Sequence, residues 1–299
     1  MARYEPRQSG GDSYVLATVF GAGLSNTIVL AFYRSDHELY DHHSLKMTHI
    51  KGLLIDLGGV VYQGSEPVPG SISAIGRLRK AGVPFRFLTN TTSQPKRHVL
   101  KKLRDFGLPV EPQNIFTPAD AARSCIIDQD LKPHFLISRQ LHEDFEGIVP
   151  GNNPAVIVGD AGDCFTYGNL NLAFRQLEAG AKLIALASNR KFVGEDGKIC
   201  LDVGAFVAAL EYGSGKQATV LGKPSPDFFR RAVSSMDLET AETAMIGDDA
   251  EFDASAAVAA GLEGVLVHTG KWQPGAADGV QPRPTAEFDN LEQALDQLL

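Results

Sequence analysis

From Ile50 onward, short apolar runs alternate with amphipathic segments. That alternation restricts the chain to an α/β architecture, a mostly parallel sheet whose strands are joined by helices. "IKGLLIDL" (residues 50–57) is apolar without a polar face, the pattern of a strand buried on both sides. "PGSISAIGRLRKAG" follows as a helix, with Pro69 near its start and Gly82 at its stop. "PFRFLTN" is the next strand. "SQPKRHVLKKLRDFG" is a helix with Ser93 as its expected cap, Pro95 in its first turn and Gly107 at its end. "PADAARSCIIDQ" is a third helix.

A second α/β block opens near His134 with "HFLIS", "PAVIVGD", "YGNLNLAFRQLEAG", "KLIALASN" and "VGAFVAALEYG". After Lys216 the first pattern resumes, with "ATVLGK" and "TAMIGDD" as strands, "SPDFFRRAVSSM" and "DASAAVAAG" as helices, "GVLVHTG" as a strand and "NLEQALDQLL" as a closing helix. The expected domains are therefore a core made of 47–132 and 216–299, split by an inserted block at 133–215. A chain of 299 residues has room for both, at about 100–200 residues per domain.

Residues 1–46 lie outside this pattern. "YVLATVFGAGLSNTIVLAFY" (14–33) is about long enough to span a bilayer, but Ser25, Asn26, Thr27 and two glycines dilute it. A signal peptide would want a basic start and a small-residue cleavage site. His37, His42 and His43 read as a solvated tail rather than a metal site. We read 1–46 as an extension outside the fold, with Met47 marking a misassigned start as the expectation; a membrane anchor is the lesser reading. The three cysteines, Cys125, Cys164 and Cys200, stand far apart without a Cys-x-x-Cys, the usage of reduced thiols in a cytoplasmic protein. A net charge of -8 argues against a nucleic-acid partner, which needs a basic face.

Three core strands end in polar groups: Asp56, then Thr89-Asn90, then Asp248-Asp249. In an open parallel sheet, ligands sit beyond the carboxyl ends of the strands. Lys223, on a loop stiffened by Pro224 and Pro226, joins them. Each alone has a plain explanation, such as a helix cap, turn chemistry or a solvated lysine. Their joint order suits phosphoryl transfer. Asp56 and Asp248 offer hard oxygen ligands for Mg²⁺, with the Gly58 carbonyl as a third. Asp56 can attack phosphorus as a carboxylate nucleophile. Lys223 and the Thr89 hydroxyl can neutralise phosphate oxygens, and Gly58 and Gly59 allow close backbone approach.

The order "DLGGV", "LTN", "GKP", "GDDAEFD" resembles the haloacid dehalogenase (HAD) superfamily, and the long insertion between "LTN" and "GKP" resembles its NagD-like type IIA branch. The resemblance covers residues 48–299. It implies an HAD-like Rossmannoid parallel-sheet core with an inserted α/β cap. It further implies that Asp56 is the nucleophile of a Mg²⁺-dependent hydrolase, and that Asp56, Gly58 and Asp248 hold the metal. Thr89, Asn90 and Lys223 would bind the phosphate, and Asp249 and Asp253 would support the metal from behind. The loop Ser188-Asn189-Arg190 and the turn at Asp202 would face a small phosphorylated substrate or a phosphoamino-acid residue. A homodimer is also implied.

One position departs from the pattern. The family's usual second Asp, two residues after the nucleophile, is replaced by Gly58; near branches often carry Ser there. General acid–base help is worth about 10²–10⁴-fold, so its loss favours phosphoramidates and pyrophosphate over sugar phosphates. The alternatives are a catalytically weak regulatory or binding protein on a phosphatase fold, a phosphatase of small monoesters and, ranked lower, a dehalogenase or phosphonatase. "GSGKQ" at Gly213 lacks the residues of a phosphate loop. Asp160 in "VIVGDAGD" imitates the core motif but reads as structure of the inserted block, with substrate contact as the lesser reading.

Overall fold

The structure, a computed structural model, describes residue 47 and residues 49–194 and 197–299. The apolar run at 14–33 and the histidines at 37–43 lie outside the described residues. Among the described residues, no helix is long and apolar enough to cross a membrane.

Two parallel sheets carry the architecture. The larger has six strands in the order Ala286–Phe288, Glu263–Val267, Thr243–Gly247, Gly52–Asp56, Phe85–Leu88, Ile115–Phe116, every pair parallel. The Asp56 strand lies inside this sheet, and its side chains alternate between two apolar layers, as the two-residue period of a strand requires. Leu54 packs with Phe228, Phe229 and Met245. Leu53 and Ile55 pack on the other face with Ile75, Leu78, Phe87 and Leu295. Burial on both faces is why the run shows no polar alternation.

The helices end where local chemistry ends them. Ser71–Ala81 is bracketed by Gly70 and Gly82, both left-handed. Pro118–Asp128 starts with a capping box in which Thr117 and Asp120 satisfy each other's backbone N–H groups. The helix Lys96–Asp105 departs from expectation, because Pro95 is its N-cap residue. Ser93 instead turns its carbonyl to Ser138 Oγ (2.8 Å) and Gln140 Nε2 (2.9 Å), so it ties the chain to the second block.

The second sheet has four parallel strands, Thr219–Val220, Lys182–Ala185, Asn153–Val158 and Leu131–Leu136. It has its own apolar layer of Val156, Val158, Leu177, Leu183, Val207 and Leu210. Two boundaries differ from the sequence reading. The first strand begins at Leu131, before His134. The segment "ATVLGK", read as a strand of the core, supplies only Thr219–Val220, which pairs with Ile184 and Ala185 at the edge of this second sheet. A two-residue edge strand carries no local signal of which sheet it will join. Leu221 still donates its N–H to the Ala185 carbonyl of this sheet, and Lys223 follows two residues later.

Candidate active site

Parallel register brings the strand ends level. Asp56 pairs with Leu88, and Ile55 with Ile246. Asp56 therefore ends its strand beside Thr89 on one side and Gly247-Asp248 on the other. Lys223 closes the group from the loop after Thr219–Val220. Its Nζ donates to Asp56 Oδ1 and to Asp253 Oδ1, each at 2.5 Å. Asp56, Lys223, Asp248 and Asp253 are all buried, none more than 7% exposed. They form the floor of an open cleft of about 480 Å³.

Three buried carboxylates share one buried ammonium. Burial raises the pKa of Asp56, against the attraction of Lys223. Burial likewise pushes Asp248 up to about 6 and Asp253 up to about 6. Burial pulls Lys223 down, but Asp253 and Asp56 outweigh it and hold the ammonium above the ordinary lysine value. The imbalance invites a cation.

The other sequence-derived candidates take distinct positions. Asn90 lines the cleft, yet its side-chain amide is engaged at both ends. Nδ2 donates to the Lys223 carbonyl and Oδ1 accepts from the Lys223 N–H, both at 2.8 Å. Its amide therefore positions Lys223. Thr89 also lines the cleft, and its Oγ1 accepts from the Thr91 N–H at 3.2 Å. Asp249 and Asp253, grouped together from the sequence, differ. Asp253 sits in the carboxylate cluster. Asp249 Oδ1 accepts from the Glu251 and Phe252 N–H groups and caps a π-helical turn at Ala250–Ser255, which opens the helix expected from Asp253 onward.

Gly58 lines the cleft as bare backbone; a Cβ built on it would meet only Asp56 Oδ2, at 4.0 Å. Gly59 is the opposite case. Its φ is +80°, and a Cβ there would fall 1.9 Å from Asp248 Oδ2 and 2.9 Å from Gly270 Cα. Its close approach is thus to Asp248 and Gly270. Gly59→Ala should lower the melting temperature by roughly 5 °C or more, whereas Gly58→Ala should leave it near wild type. Thermal unfolding of the two variants side by side checks this, and equal melting temperatures would refute it.

This order of motifs has counterparts. Residues 53–148 match the family model described as haloacid dehalogenase-like hydrolase, and residues 220–294 match one described as HAD-hydrolase-like. The chain is 38% identical over 250 residues to haloacid dehalogenase-like hydrolase domain-containing protein 2 of Bos taurus, covering 84% of this chain and 96% of that protein. The chain belongs to the haloacid dehalogenase-like hydrolase family. It is also 38% identical over 259 residues to phospholysine phosphohistidine inorganic pyrophosphate phosphatase of Xenopus laevis, covering 84% and 95%. Among solved structures, 4-nitrophenylphosphatase from Thermotoga maritima matches with a TM-score of 0.76 at 25% identity, over 85% of this chain and 99% of that one. NagD from E. coli K-12 matches with a TM-score of 0.74 at 27% identity, over 82% and 98%. Like these relatives, the chain is a hydrolase of the phosphatase kind.

HAD-family phosphatases use Mg²⁺, and the residues here fit one. Carboxylate oxygens of Asp56, Asp248 and Asp253 lie within 4.8 Å of one another. Asp248 Oδ2 accepts from the Lys271 N–H at 2.7 Å, but its buried Oδ1 has no hydrogen-bond partner. An orphaned buried carboxylate oxygen in an all-oxygen donor set suits a hard divalent cation.

Other cleft residues escaped the sequence reading. Asp160, which the sequence reads as part of the second block with substrate contact as the lesser reading, lines the cleft; its N–H donates to Thr92 Oγ1 at 3.0 Å and joins the block to the Thr89–Ser93 loop. Asn189 and Asp202 line the cleft as expected, while Ser188 and Arg190 are not among its lining residues. Asp202 also caps the helix Val203–Ser214, its Oδ1 accepting from the Val203 N–H at 2.6 Å. Gln63, Phe192 and Lys271 also line the cleft. The signal for Lys271 was its place just past the strand end at Val267, beside the Asp248 strand.

Proposed function

We propose that this phosphatase is Mg²⁺-dependent, works through an aspartyl-phosphate on Asp56, and favours substrates whose leaving group departs without a donated proton. Here 47–130 and 221–299 act as the catalytic core and the block between them, 131–220, as a cap. The observation that carries the reading is the buried Asp56–Lys223–Asp253 linkage beside the orphaned oxygen of Asp248, at the floor of an open cleft.

In the first step an Asp56 oxygen forms a bond to phosphorus. The bond from phosphorus to the leaving atom breaks, and that atom keeps the electron pair. Lys223 holds Asp56 Oδ1, leaving Oδ2 on the side of Gly58. In the second step water attacks the same phosphorus, the Asp56–phosphate bond breaks with its electron pair returning to the carboxylate, and phosphate leaves with the water's oxygen and one of its protons, the other staying on the phosphate or passing to solvent. Asp56, the Gly58 carbonyl and Asp248 would hold Mg²⁺, with Asp253 behind them. The ion, when bound, offsets the repulsion between carboxylate nucleophile and phosphate. Asn90 fixes Lys223, and Thr89 faces the phosphoryl oxygens.

No side chain at residue 58 is available to protonate a departing alcohol. A departing phosphate is a weaker base than an alkoxide, and a phosphoramidate nitrogen that already carries a proton leaves as a neutral amine or imidazole, so both classes should be turned over faster than sugar monophosphates. The test is a panel of pyrophosphate, phosphohistidine, 4-nitrophenyl phosphate and sugar phosphates with Mg²⁺, followed by borohydride reduction, which converts an acyl phosphate at Asp56 into homoserine detectable by mass spectrometry. Faster sugar-phosphate turnover would overturn the leaving-group preference. Phosphate binding with no turnover of any substrate would favour a binding protein instead.

A further inference from the structure

Among the described residues, the cleft lining carries five carboxylates (Asp56, Asp160, Asp202, Asp248 and Asp253) and two ammonium groups, Lys223 and Lys271. A phosphorylated substrate adds more negative charge. Lys223 is buried and committed to Asp56 and Asp253. Lys271 is not. Its side chain is 72% exposed, and its ion pair with Asp249 Oδ2 is long, at 3.4 Å, loose enough to exchange for a substrate oxygen.

The backbone under Lys271 is fixed. Its N–H donates to Asp248 Oδ2. The preceding Gly270 has φ +57° and packs so tightly that a Cβ on it would lie 2.5 Å from Gly59 Cα. Lys271 and Gly58 are therefore the residues flanking one backbone-to-backbone contact. The exposed cation and the space left by the missing acid both line the cleft.

We propose that Lys271, beside the opening at Gly58, recognises a second anionic group on the substrate, the leaving phosphate of a diphosphate. The proposal rests on the reading of Asp56 as the nucleophile. When the phosphorus–oxygen bond breaks, the bridging oxygen keeps the electron pair and the leaving phosphate gains charge. A nearby ammonium stabilises that charge, and an ionised carboxylate at residue 58 would oppose it. The oxygen of a departing 4-nitrophenolate gains charge too, but the ester carries no second anionic group for Lys271 to bind before the bond breaks, so it gains less. The missing acid and the exposed lysine thus select the same substrate class.

The test compares the full-length chain with Lys271→Gln and Lys271→Arg in Mg²⁺ buffer. Two ratios are read. One is kcat/KM for pyrophosphate over that for 4-nitrophenyl phosphate. The other, measured by calorimetry, is the affinity for methylenediphosphonate over that for methylphosphonate. Lys271→Gln should lower both ratios about tenfold, the loss expected for one charge-assisted contact, and Lys271→Arg should restore them. Unchanged ratios, or equal losses for both members of each pair, would overturn the role of Lys271. The calorimetric ratio needs no turnover. A catalytically silent chain whose binding ratio still falls in Lys271→Gln would retain the diphosphate site and refute only the Asp56 reading.

Discussion

Asp56→Asn should lose about 10⁴-fold or more in turnover of every substrate, the scale seen when a nucleophile is removed, while the protein stays folded. The two halves of this expectation have separate causes. An amide oxygen still accepts from Lys223 Nζ, but the uncharged amide is a poor nucleophile toward phosphorus. The fold survives because Lys223 keeps its bond to Asp253 Oδ1, so no buried charge is left alone. The substitution also removes one of three carboxylates crowded within 4.8 Å. Without metal, the melting temperature should hold or rise. With Mg²⁺, the upward shift expected of wild type should shrink, since a ligand that binds the native state stabilises it in proportion to the logarithm of its saturation. Turnover within tenfold of wild type would show that Asp56 is not the nucleophile.

Lys223→Met would differ in kind. It leaves Asp56 and Asp253 buried without a counter-charge, a loss on the order of 3–5 kcal/mol. That contrast shows which part of the site was legible in the sequence. Strand ends are local features: an apolar run stops at an acid, and the parallel sheet does the rest. Asp56, Thr89, Asn90 and Asp248 were placed by that logic, and so was the two-sheet α/β plan. What the pattern did not carry is pairing across the fold. Lys223 reads as a lysine on a proline-stiffened loop; its salt bridges to Asp56 and Asp253 arise only once the chain has crossed back between the sheets. Asp253 reads as one more acid in an acidic turn, and its burial depends on the π-helical turn that directs it inward. Ser93 has a cap residue's composition, but Pro95 occupies the cap position. Lys271 sits on the neighbouring strand's loop, where the contact between Gly59 and Gly270 and its own N–H bond to Asp248 Oδ2 bring it to the cleft.

Gly58→Asp should raise the turnover of alkyl and sugar phosphates by about 10²-fold, and it should do so without damage to the fold. The position has no left-handed φ, and the new Cβ would have open space around it, with Asp56 Oδ2 its sole neighbour at 4.0 Å. The carboxyl group would stand beside Asp56 on the side away from Lys223. There it can protonate a departing alkoxide and then take a proton from the attacking water. The gain should carry a signature in pH, because the variant needs the new group protonated for the first step. Its rate on alkyl phosphates should fall at high pH through a limb that wild type lacks. Pyrophosphate should behave differently. Its leaving group needs no proton, and a sixth carboxylate in a cleft that already carries five works against an anionic leaving group. The ratio of pyrophosphate to sugar-phosphate turnover should therefore invert or nearly so. No gain on alkyl phosphates would mean that a bound water or another cleft residue already supplies the proton, and the cleft's remaining acids, Asp160 and Asp202, would be the residues to substitute next. A gain with the new pH limb would show that the nucleophile, lysine and carboxylates of the cluster are competent as they stand, and that residue 58 decides whether they can expel an alkoxide.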